Sequence, residues 1–107
     1  MQHIRPAELK AWLEDLQREK PLLLDVREPW EFERCHIDGA VSMPMNGIPA
    51  RLDDLPQDRE IVVICHHGVR SFHVARFLDH NGFTRIINLT GGVDAWAKEA
   101  DPTMPTY

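Results

Sequence analysis

The sequence predicts a small α/β fold with a largely parallel central sheet. Apolar segments of strand length alternate with amphipathic segments of helical spacing, which is the order expected of a parallel sheet. The chain has 107 residues and contains no internal repeat, low-complexity tract or Gly/Ser linker. This length is typical of one domain. We therefore expect residues 1–107 to form a single domain.

Four elements are predicted in the first half of the chain, separated by prolines and glycines. Pro6 begins a helix whose apolar residues recur at helical spacing as far as Leu16. Residues 22–26 form a largely apolar run of strand length, which is typical of a strand buried on both faces. Pro29 begins a short helix, and residues 40–43 form a second strand after a turn.

Five further elements and a tail are predicted in the second half. In order, they are a short helix over 48–55, a strand over 61–64, a helix over 72–81 with Val74, Phe77 and Leu78 on its apolar face, a strand over 85–88, a helix after Gly91-Gly92, and an irregular strap over 101–107. The strand over 61–64 is the strongest of them, because all four of its residues are apolar and β-branched.

Composition and charge exclude several classes of partner. The chain is 43% hydrophobic and 27% charged, with a net charge of −5 and no basic run, which is unfavourable for nucleic-acid binding. No apolar stretch approaches the roughly 18 residues of a membrane span, and the first residues lack the apolar stretch of a signal peptide. We therefore expect a cytoplasmic protein with reduced thiols, no membrane and no nucleic acid.

The strongest candidate for chemistry is Cys65, which directly follows the strand at residues 61–64. In parallel sheets, ligands bind where strands end and the following helices begin. The loop 66–71 contains Gly68, which permits a tight turn that can direct several N–H groups at one point. The helix N-terminus adds a partial positive charge, and Arg70 adds a full one. These groups favour the thiolate of Cys65, which is the nucleophile, and would also hold an anionic persulfide.

Two alternative interpretations apply to the same residues. Cys65 could be a small buried apolar residue at a strand–loop junction, although its polar neighbours and the glycine turn argue against this. A metal site formed by Cys65, His66, His67 and His73 is the other alternative. Its spacing matches no standard zinc pattern, and adjacent histidines on a tight loop seldom bind one ion. We therefore expect a reactive Cys65, no metal and no cofactor.

Four segments of the chain resemble signatures of the rhodanese family of sulfurtransferases. They are residues 23–29, residues 31–32 with 36–41 and 43–44, residues 65–71, and residues 89–96. Their order, and their span over nearly the whole chain, make the resemblance specific. It implies that residues 1–107 form a three-layer, rhodanese-like domain, with a small, mostly parallel sheet of about five strands and helices on both of its faces. It also implies that Cys65 is the nucleophile that carries sulfur.

The length of the cysteine loop distinguishes the enzymes within this superfamily. Four residues separate Cys65 from Arg70, whereas the related cysteine-dependent phosphatases resemble this pattern with five. The shorter loop leaves room for a persulfide sulfur and less room for a phosphate. A small phosphatase is therefore the weaker enzyme alternative.

The loop residues are the candidates for binding the persulfide and its donor. They are His66, His67, Gly68, Val69, Arg70 and Ser71. The two histidines would bind a small anionic donor such as thiosulfate and tune its choice, since the family tolerates many residues at these places. Arg70 would bind the donor or persulfide, or turn inward to a carboxylate such as Glu28, and the two roles are compatible.

Residues outside the loop have supporting roles in this interpretation. Asp25 and Arg27 are expected to be structural ion-pair or hydrogen-bond partners near the site. Trp30 either forms a wall of the pocket or covers the sheet. Cys35 departs from the family pattern, which usually has glycine there. We expect it to lie at the opposite edge of the sheet from Cys65, too far away for a disulfide.

The sequence therefore predicts a two-step sulfurtransferase. Cys65 takes a sulfane sulfur from a donor such as thiosulfate and passes it to a thiophilic acceptor, which is cyanide in an assay and a thiol or acceptor protein in the cell. The alternative is a persulfide carrier that delivers sulfur to a partner protein, because residues 94–107 resemble the ends of rhodanese domains fused to enzymes that activate sulfur-carrier proteins.

Overall fold

A five-stranded parallel sheet forms the centre of the molecule. The computed structural model describes residues 1–107. The strands are Gln2–Ile4 (β1), Leu22–Asp25 (β2), Val41–Ser42 (β3), Ile61–Ile64 (β4) and Ile86–Leu89 (β5). The helices are Pro6–Glu14 (α1), Pro29–Arg34 (α2), Val69–His80 (α3) and Gly92–Glu99 (α4), and two 3₁₀ segments cover Met45–Gly47 and Pro49–Asp54. None of the helices combines the length and the apolar character that a membrane span requires.

The order of the strands explains where a ligand site can form. The sheet runs β1-β5-β4-β2-β3, and every neighbouring pair is parallel. From β4 the chain continues to β5 on one side, whereas from β2 it continues to β3 on the other. A crevice therefore opens between the carboxyl ends of β2 and β4, which is where open parallel sheets bind ligands. Cys65 follows β4 at this crevice, and Arg27 lies just beyond the end of β2.

Side chains of the strands alternate between two apolar layers, which makes the fold three-layered. On one face Leu23 and Val62 pack with residues of α1 and α4, and on the other Leu24 and Val63 pack with residues of α3. All four residues of β4 are buried, and a fully buried Val or Ile contributes roughly 1.5–3 kcal/mol. The predicted α/β fold with about five parallel strands is confirmed.

Some elements differ from the sequence prediction. Helix α1 ends at Glu14, and Leu16 is 93% exposed, because the chain turns at Asp15, whose carboxylate accepts the Gln17 N–H. Helix α3 starts three residues earlier than expected. Its Phe77, predicted to be apolar core, is 37% exposed. Val74 and Leu78 on the same helix are buried, so the apolar face is narrower than predicted.

Three further differences concern short elements. Strand β1 was not predicted; it forms because Gln2, His3 and Ile4 pair with β5. The segment predicted as a helix over 48–55 is a 3₁₀ segment over Pro49–Asp54 with a kink at Arg51. The C-terminal segment, residues 101–107, is irregular as expected, but Met104 is buried in the core layer of α1 and α4.

The two cysteines lie in different layers. Cys35 belongs to the apolar layer of α1 and α4, and Cys65 belongs to the layer of α3. Both are free thiols. The sheet thus lies between them. They are separated by its two faces and not, as predicted, by its two edges, since the Cys35 carbonyl accepts a hydrogen bond from Arg27, which follows the carboxyl end of β2.

Candidate active site

Cys65 lies at the end of β4 with its sulfur directed into the turn that follows. The Gly68 N–H donates to Cys65 Sγ at 3.0 Å, and the thiol donates to Ser71 Oγ at 3.3 Å. Cys65 is only 1% exposed. The sulfur therefore sits beneath its loop, in contact with a main-chain donor and a hydroxyl group, and its surroundings are not purely apolar.

The predicted ring of main-chain donors is only partly formed around this sulfur. Gly68 supplies the one main-chain N–H that reaches Sγ, whereas six loop residues were expected to contribute. The first backbone bond into α3 runs from the Phe72 N–H to the Gly68 carbonyl. The N–H groups of Val69, Arg70 and Ser71 thus belong to the first turn of the helix, which has no acceptors of its own. They remain available as hydrogen-bond donors.

Ser71 connects Cys65 to a residue that the sequence analysis missed. The Ser71 hydroxyl donates to Asn88 Oδ1 at 2.5 Å, and Asn88 Nδ2 donates to the Gly68 carbonyl at 3.4 Å. Ser71 and Asn88 are both buried. Asn88 is the one polar residue of β5, and all four residues of this strand are buried. A polar residue in such a strand was the signal that could have identified it.

The start of α4 fixes the backbone of the cysteine loop from the other side. The Val93 N–H donates to the Cys65 carbonyl at 2.9 Å, and the Asp94 N–H donates to the His66 carbonyl at 3.0 Å. This contact requires glycine at position 92, because a Cβ there would lie 2.3 Å from the Cys65 oxygen. Gly68 is also required, since its φ is +97° and a Cβ would lie 3.0 Å from the Gly91 nitrogen.

Arg70 turns inward, but its partner is Glu31 and not Glu28. Arg70 Nη1 and Nη2 donate to the two oxygens of Glu31 at 2.6 and 2.9 Å. Glu28 is the residue before α2, and its own N–H donates to Glu31 Oε1 at 3.0 Å. Glu31, in the first turn of that helix, is therefore the carboxylate that faces the cysteine loop. The hydrogen bonds from Arg70 lower the pKa of Glu31 to about 2, against the opposing effect of its burial.

Asp25 and Arg27 form a fully buried ion pair behind the site. Arg27 Nη2 donates to Asp25 Oδ2 at 2.7 Å, and both side chains have no exposed surface. The same guanidinium donates to the Cys35 carbonyl at 2.7 Å and to the hydroxyl of Tyr107 at 2.7 Å. Burial alone would lower the pKa of Arg27, but the hydrogen bonds to Asp25 and Tyr107 raise it above its ordinary value. The pair thus ties the end of β2 to neighbouring segments.

Trp30 and the two loop histidines are parts of one aromatic row. Trp30 is 60% exposed and meets Tyr107 edge-on, with ring centroids 5.9 Å apart. The Tyr107 ring stacks on His66 at 3.9 Å, and His66 lies 4.0 Å from the His67 ring. Trp30 therefore stands beside the loop and does not cover the sheet. Val69, the remaining loop residue, is exposed. Burial of His66, and then the charge of His67, lower the pKa of His66.

The residues best placed to share a metal ion are His66, His67 and Asp94, whose ligand atoms lie within 4.8 Å of one another. This set differs from the one that the sequence suggested, since it excludes Cys65 and His73. The two imidazole rings pack against each other with their planes tilted by only 30°, so their lone pairs lie in nearly parallel planes. Asp94 is already bonded to Lys98 at 3.0 Å. The arrangement suits packing and hydrogen bonding better than metal binding.

The fold and the site together define an α/β protein that carries a cysteine in a strand-to-helix loop of main-chain donors. Comparison with known proteins gives the family. The sequence model described as "Rhodanese-like domain" matches residues 6–99. The chain therefore belongs to the rhodanese-like family of sulfurtransferases, as its motifs suggested.

Three relatives illustrate the range of this family. A "Sulfurtransferase" of Allochromatium vinosum is 39% identical over 80% of each chain. The "Thiosulfate sulfurtransferase GlpE" of Actinobacillus pleuropneumoniae is 31% identical over 92% of this chain and 90% of its own. The "Probable adenylyltransferase/sulfurtransferase MoeZ" of Mycobacterium tuberculosis is 42% identical over 97% of this chain, which spans 26% of MoeZ.

Solved structures agree with the fold. A crystal structure of a rhodanese-like domain protein from Staphylococcus aureus superposes with a TM-score of 0.84 at 31% identity, and the match covers 100% of this chain and 99% of that one. The match therefore runs over the whole chain and supports the rhodanese-like fold.

Proposed function

We propose that this protein transfers a sulfane sulfur through a persulfide on Cys65, with thiosulfate as the donor. The Cys65 thiolate attacks the outer sulfur of thiosulfate. A new S–S bond forms, the original S–S bond breaks, and its electron pair leaves with sulfite. The thiosulfate name of the GlpE relative supports this donor.

The second step returns the cysteine to its starting state. A thiophilic acceptor attacks the outer sulfur of the Cys65 persulfide, and the thiolate leaves. Cyanide would yield thiocyanate in an assay, and a thiol or an acceptor protein would yield its own persulfide in the cell. No external oxidant or reductant is needed, because each sulfur leaves one partner as it joins the next.

The observation that carries this proposal is the direction of the Gly68 N–H toward Cys65 Sγ at 3.0 Å. A main-chain donor at this distance stabilises negative charge on the sulfur. The N–H groups at the start of α3 lie next along the loop, where they would meet the outer sulfur of a persulfide, which is also anionic. The ion pair of Arg70 and Glu31 stands beside them and leaves a guanidinium edge near the donor.

The second candidate is delivery of the persulfide to a partner protein. MoeZ, whose name joins an adenylyltransferase to a sulfurtransferase, contains a segment that matches nearly all of this chain. A domain of this kind could therefore receive sulfur and hand it to an acceptor held by another protein. Both candidates use the same Cys65 persulfide and differ only in the acceptor. The two free thiols suit a reducing compartment, and we place both reactions in the cytoplasm.

Intact-mass spectrometry after incubation with thiosulfate tests the proposal. We expect a gain of about 32 Da, removed by cyanide, in the wild type and in Cys35→Ala, the matched control for the other thiol. Cys65→Ala should show no gain. An unmodified wild type, or an adduct that persists in Cys65→Ala, would rule out the mechanism. Turnover of an aryl phosphate without any sulfur adduct would favour a phosphatase.

A further inference from the structure

Tyr107 contacts the cysteine loop and the Arg70–Glu31 pair although it is far from both in sequence. Its hydroxyl donates to Glu31 Oε2 at 2.8 Å and accepts from Arg27 Nη1 at 2.7 Å. Its ring is stacked on His66, with centroids 3.9 Å apart and planes within 6° of parallel. One side chain thus touches two separate components of the proposed donor site.

We propose that Tyr107 is a positioning residue of this site, whose hydroxyl fixes Glu31 and through it Arg70, and whose ring fixes His66 at the entrance. The inference rests on the proposed function for its substrate, the anionic sulfur donor. Its geometry is independent of that substrate. The hydroxyl and the ring act on different residues, so their contributions can be separated.

The hydroxyl completes a chain of hydrogen bonds that begins in the protein interior. Asp25 and Arg27 are fully buried and bonded to each other, so Arg27 presents its Nη1 from a fixed position. The Tyr107 hydroxyl accepts from this Nη1 and donates to Glu31 Oε2, so it links the position of Glu31 to that of Arg27. The same oxygen also receives Arg70 Nη2 at 2.9 Å. Glu31 can therefore hold Arg70 in one orientation, since a carboxylate that is 5% exposed and fully bonded has little freedom to rotate.

The ring acts on the other side of the entrance. His66 is held between Tyr107 at 3.9 Å and the His67 ring at 4.0 Å. The His66 carbonyl accepts a hydrogen bond from the Asp94 N–H. The ring stack therefore restrains the imidazole, and this hydrogen bond restrains the backbone of the same residue. His66 Nε2 is buried without a hydrogen-bond partner in the protein.

The C-terminal segment is anchored so that Tyr107 can reach the site. Met104 is buried in the apolar layer of α1 and α4, and its N–H donates to the Asp101 carbonyl at 3.1 Å. Tyr107 then meets Trp30 edge-on. Burial raises the pKa of Tyr107 to about 12, so its hydroxyl remains a donor throughout the neutral range.

Two substitutions separate the contributions. Tyr107→Phe keeps the ring and removes the bonds to Glu31 and Arg27. We expect its KM for thiosulfate to rise about tenfold with a smaller change in kcat, because a hydrogen bond to a charged group is lost. Tyr107→Leu removes both contributions and should raise KM further. Phe77→Leu, at a half-exposed aromatic residue on α3, serves as the control and should leave KM unchanged.

A measurement that does not depend on turnover checks the ring. The His66 imidazole is followed by NMR through a pH titration, with its signal assigned from His66→Gln. The charged or titratable groups that face it are His67, Asp94, Glu31 and Tyr107. Because burial is the main cause that lowers the pKa of His66, Tyr107→Leu should raise this pKa toward its ordinary value, whereas Tyr107→Phe should not.

The outcomes distinguish this inference from the proposed function. If both variants keep the wild-type melting temperature, and neither the His66 titration nor KM changes, Tyr107 does not position the site. If the wild type forms no persulfide, the proposed function fails, but a shift of the His66 titration in Tyr107→Leu alone would still support the role of the ring.

Discussion

The hydroxyl of Ser71 lies between two partners, 2.5 Å from Asn88 Oδ1 and 3.3 Å from Cys65 Sγ. It has one proton, which is given to Asn88 while Cys65 is a thiol. When Cys65 loses its proton, its sulfur can only accept a hydrogen bond, so the Ser71 hydroxyl must turn and donate its proton to the sulfur. Asn88 permits this change, because its amide can rotate and offer an N–H to Ser71 in place of an oxygen.

Asn88→Asp should therefore impair the reaction more than Asn88→Ser. A carboxylate accepts but does not donate, so it keeps the Ser71 proton away from the sulfur and adds negative charge nearby. We expect alkylation of Cys65 by iodoacetamide at neutral pH to slow about tenfold or more, given that a hydrogen bond to a charged group contributes ~1.5–3 kcal/mol. Asn88→Ser, which can donate and accept, is the control. Equal rates in the two variants would contradict this role of Asn88.

Gly92→Ala should destabilise the protein by at least about 3 kcal/mol. Its Cβ would lie 2.3 Å from the Cys65 oxygen and 2.4 Å from the His66 oxygen, so α4 would have to move away and lose its two hydrogen bonds to the loop. Gly39→Ala is a matched control, because Gly39 also has a positive φ but no atom within 4 Å of its Cβ position. That control should cost only ~1–2 kcal/mol. Urea unfolding measures both, and a similar loss in the two variants would argue against the close approach.

Arg70→Lys should weaken donor binding although it keeps the charge. The guanidinium makes two parallel hydrogen bonds to Glu31, which an ammonium group cannot reproduce. We expect KM for thiosulfate to rise about tenfold, with the melting temperature lowered by only a few degrees. Steady-state kinetics and thermal unfolding provide the two values. If KM in Arg70→Lys matched the wild type, Arg70 would act as a simple point charge.

Glu31 should make the free energy of unfolding decrease as the pH falls below 4.5. Its pKa falls from 4.5 to about 2 on folding, because Arg70 hydrogen-bonds to its carboxylate. Its contribution is therefore present above pH 4.5 and is lost as the pH falls toward 2. By linkage this amounts to about 3 kcal/mol.

The matched measurement is urea unfolding of the wild type and Glu31→Gln between neutral pH and pH 2.5. The stability difference between the two proteins should be largest near neutral pH and should shrink below pH 4.5. A difference that stayed constant over this range would show that Glu31 is not held as a carboxylate by Arg70.

Much of the sheet could be predicted because its strands carry their own signal. The run Ile61–Ile64 is apolar and β-branched, and β4 covers the same residues. Strand β1 carries no such signal, since Gln2 and His3 are polar and exposed. It is a strand only because β5 offers it hydrogen bonds, and that pairing is a tertiary contact.

Predictability of the site also depends on whether its contacts are local or distant in sequence. Cys65, Gly68 and Ser71 lie within one loop, and their spacing alone suggested a sulfur that receives hydrogen bonds. Glu31 is 39 residues from Arg70, and Tyr107 is 76 residues from Glu31. No short motif contains both members of either pair. The sequence therefore placed the partner of Arg70 at the wrong glutamate and gave no sign that Tyr107 lies at the site.

The two outer strands of the sheet are also its shortest, with three residues in β1 and two in β3. An exposed strand edge is a template on which another molecule can add a strand, and long flat edges lead to aggregation. Here the unpaired groups on each side number too few to hold a foreign strand in register. Short borders of this kind are one way in which an open, all-parallel sheet is protected from polymerising through its edges.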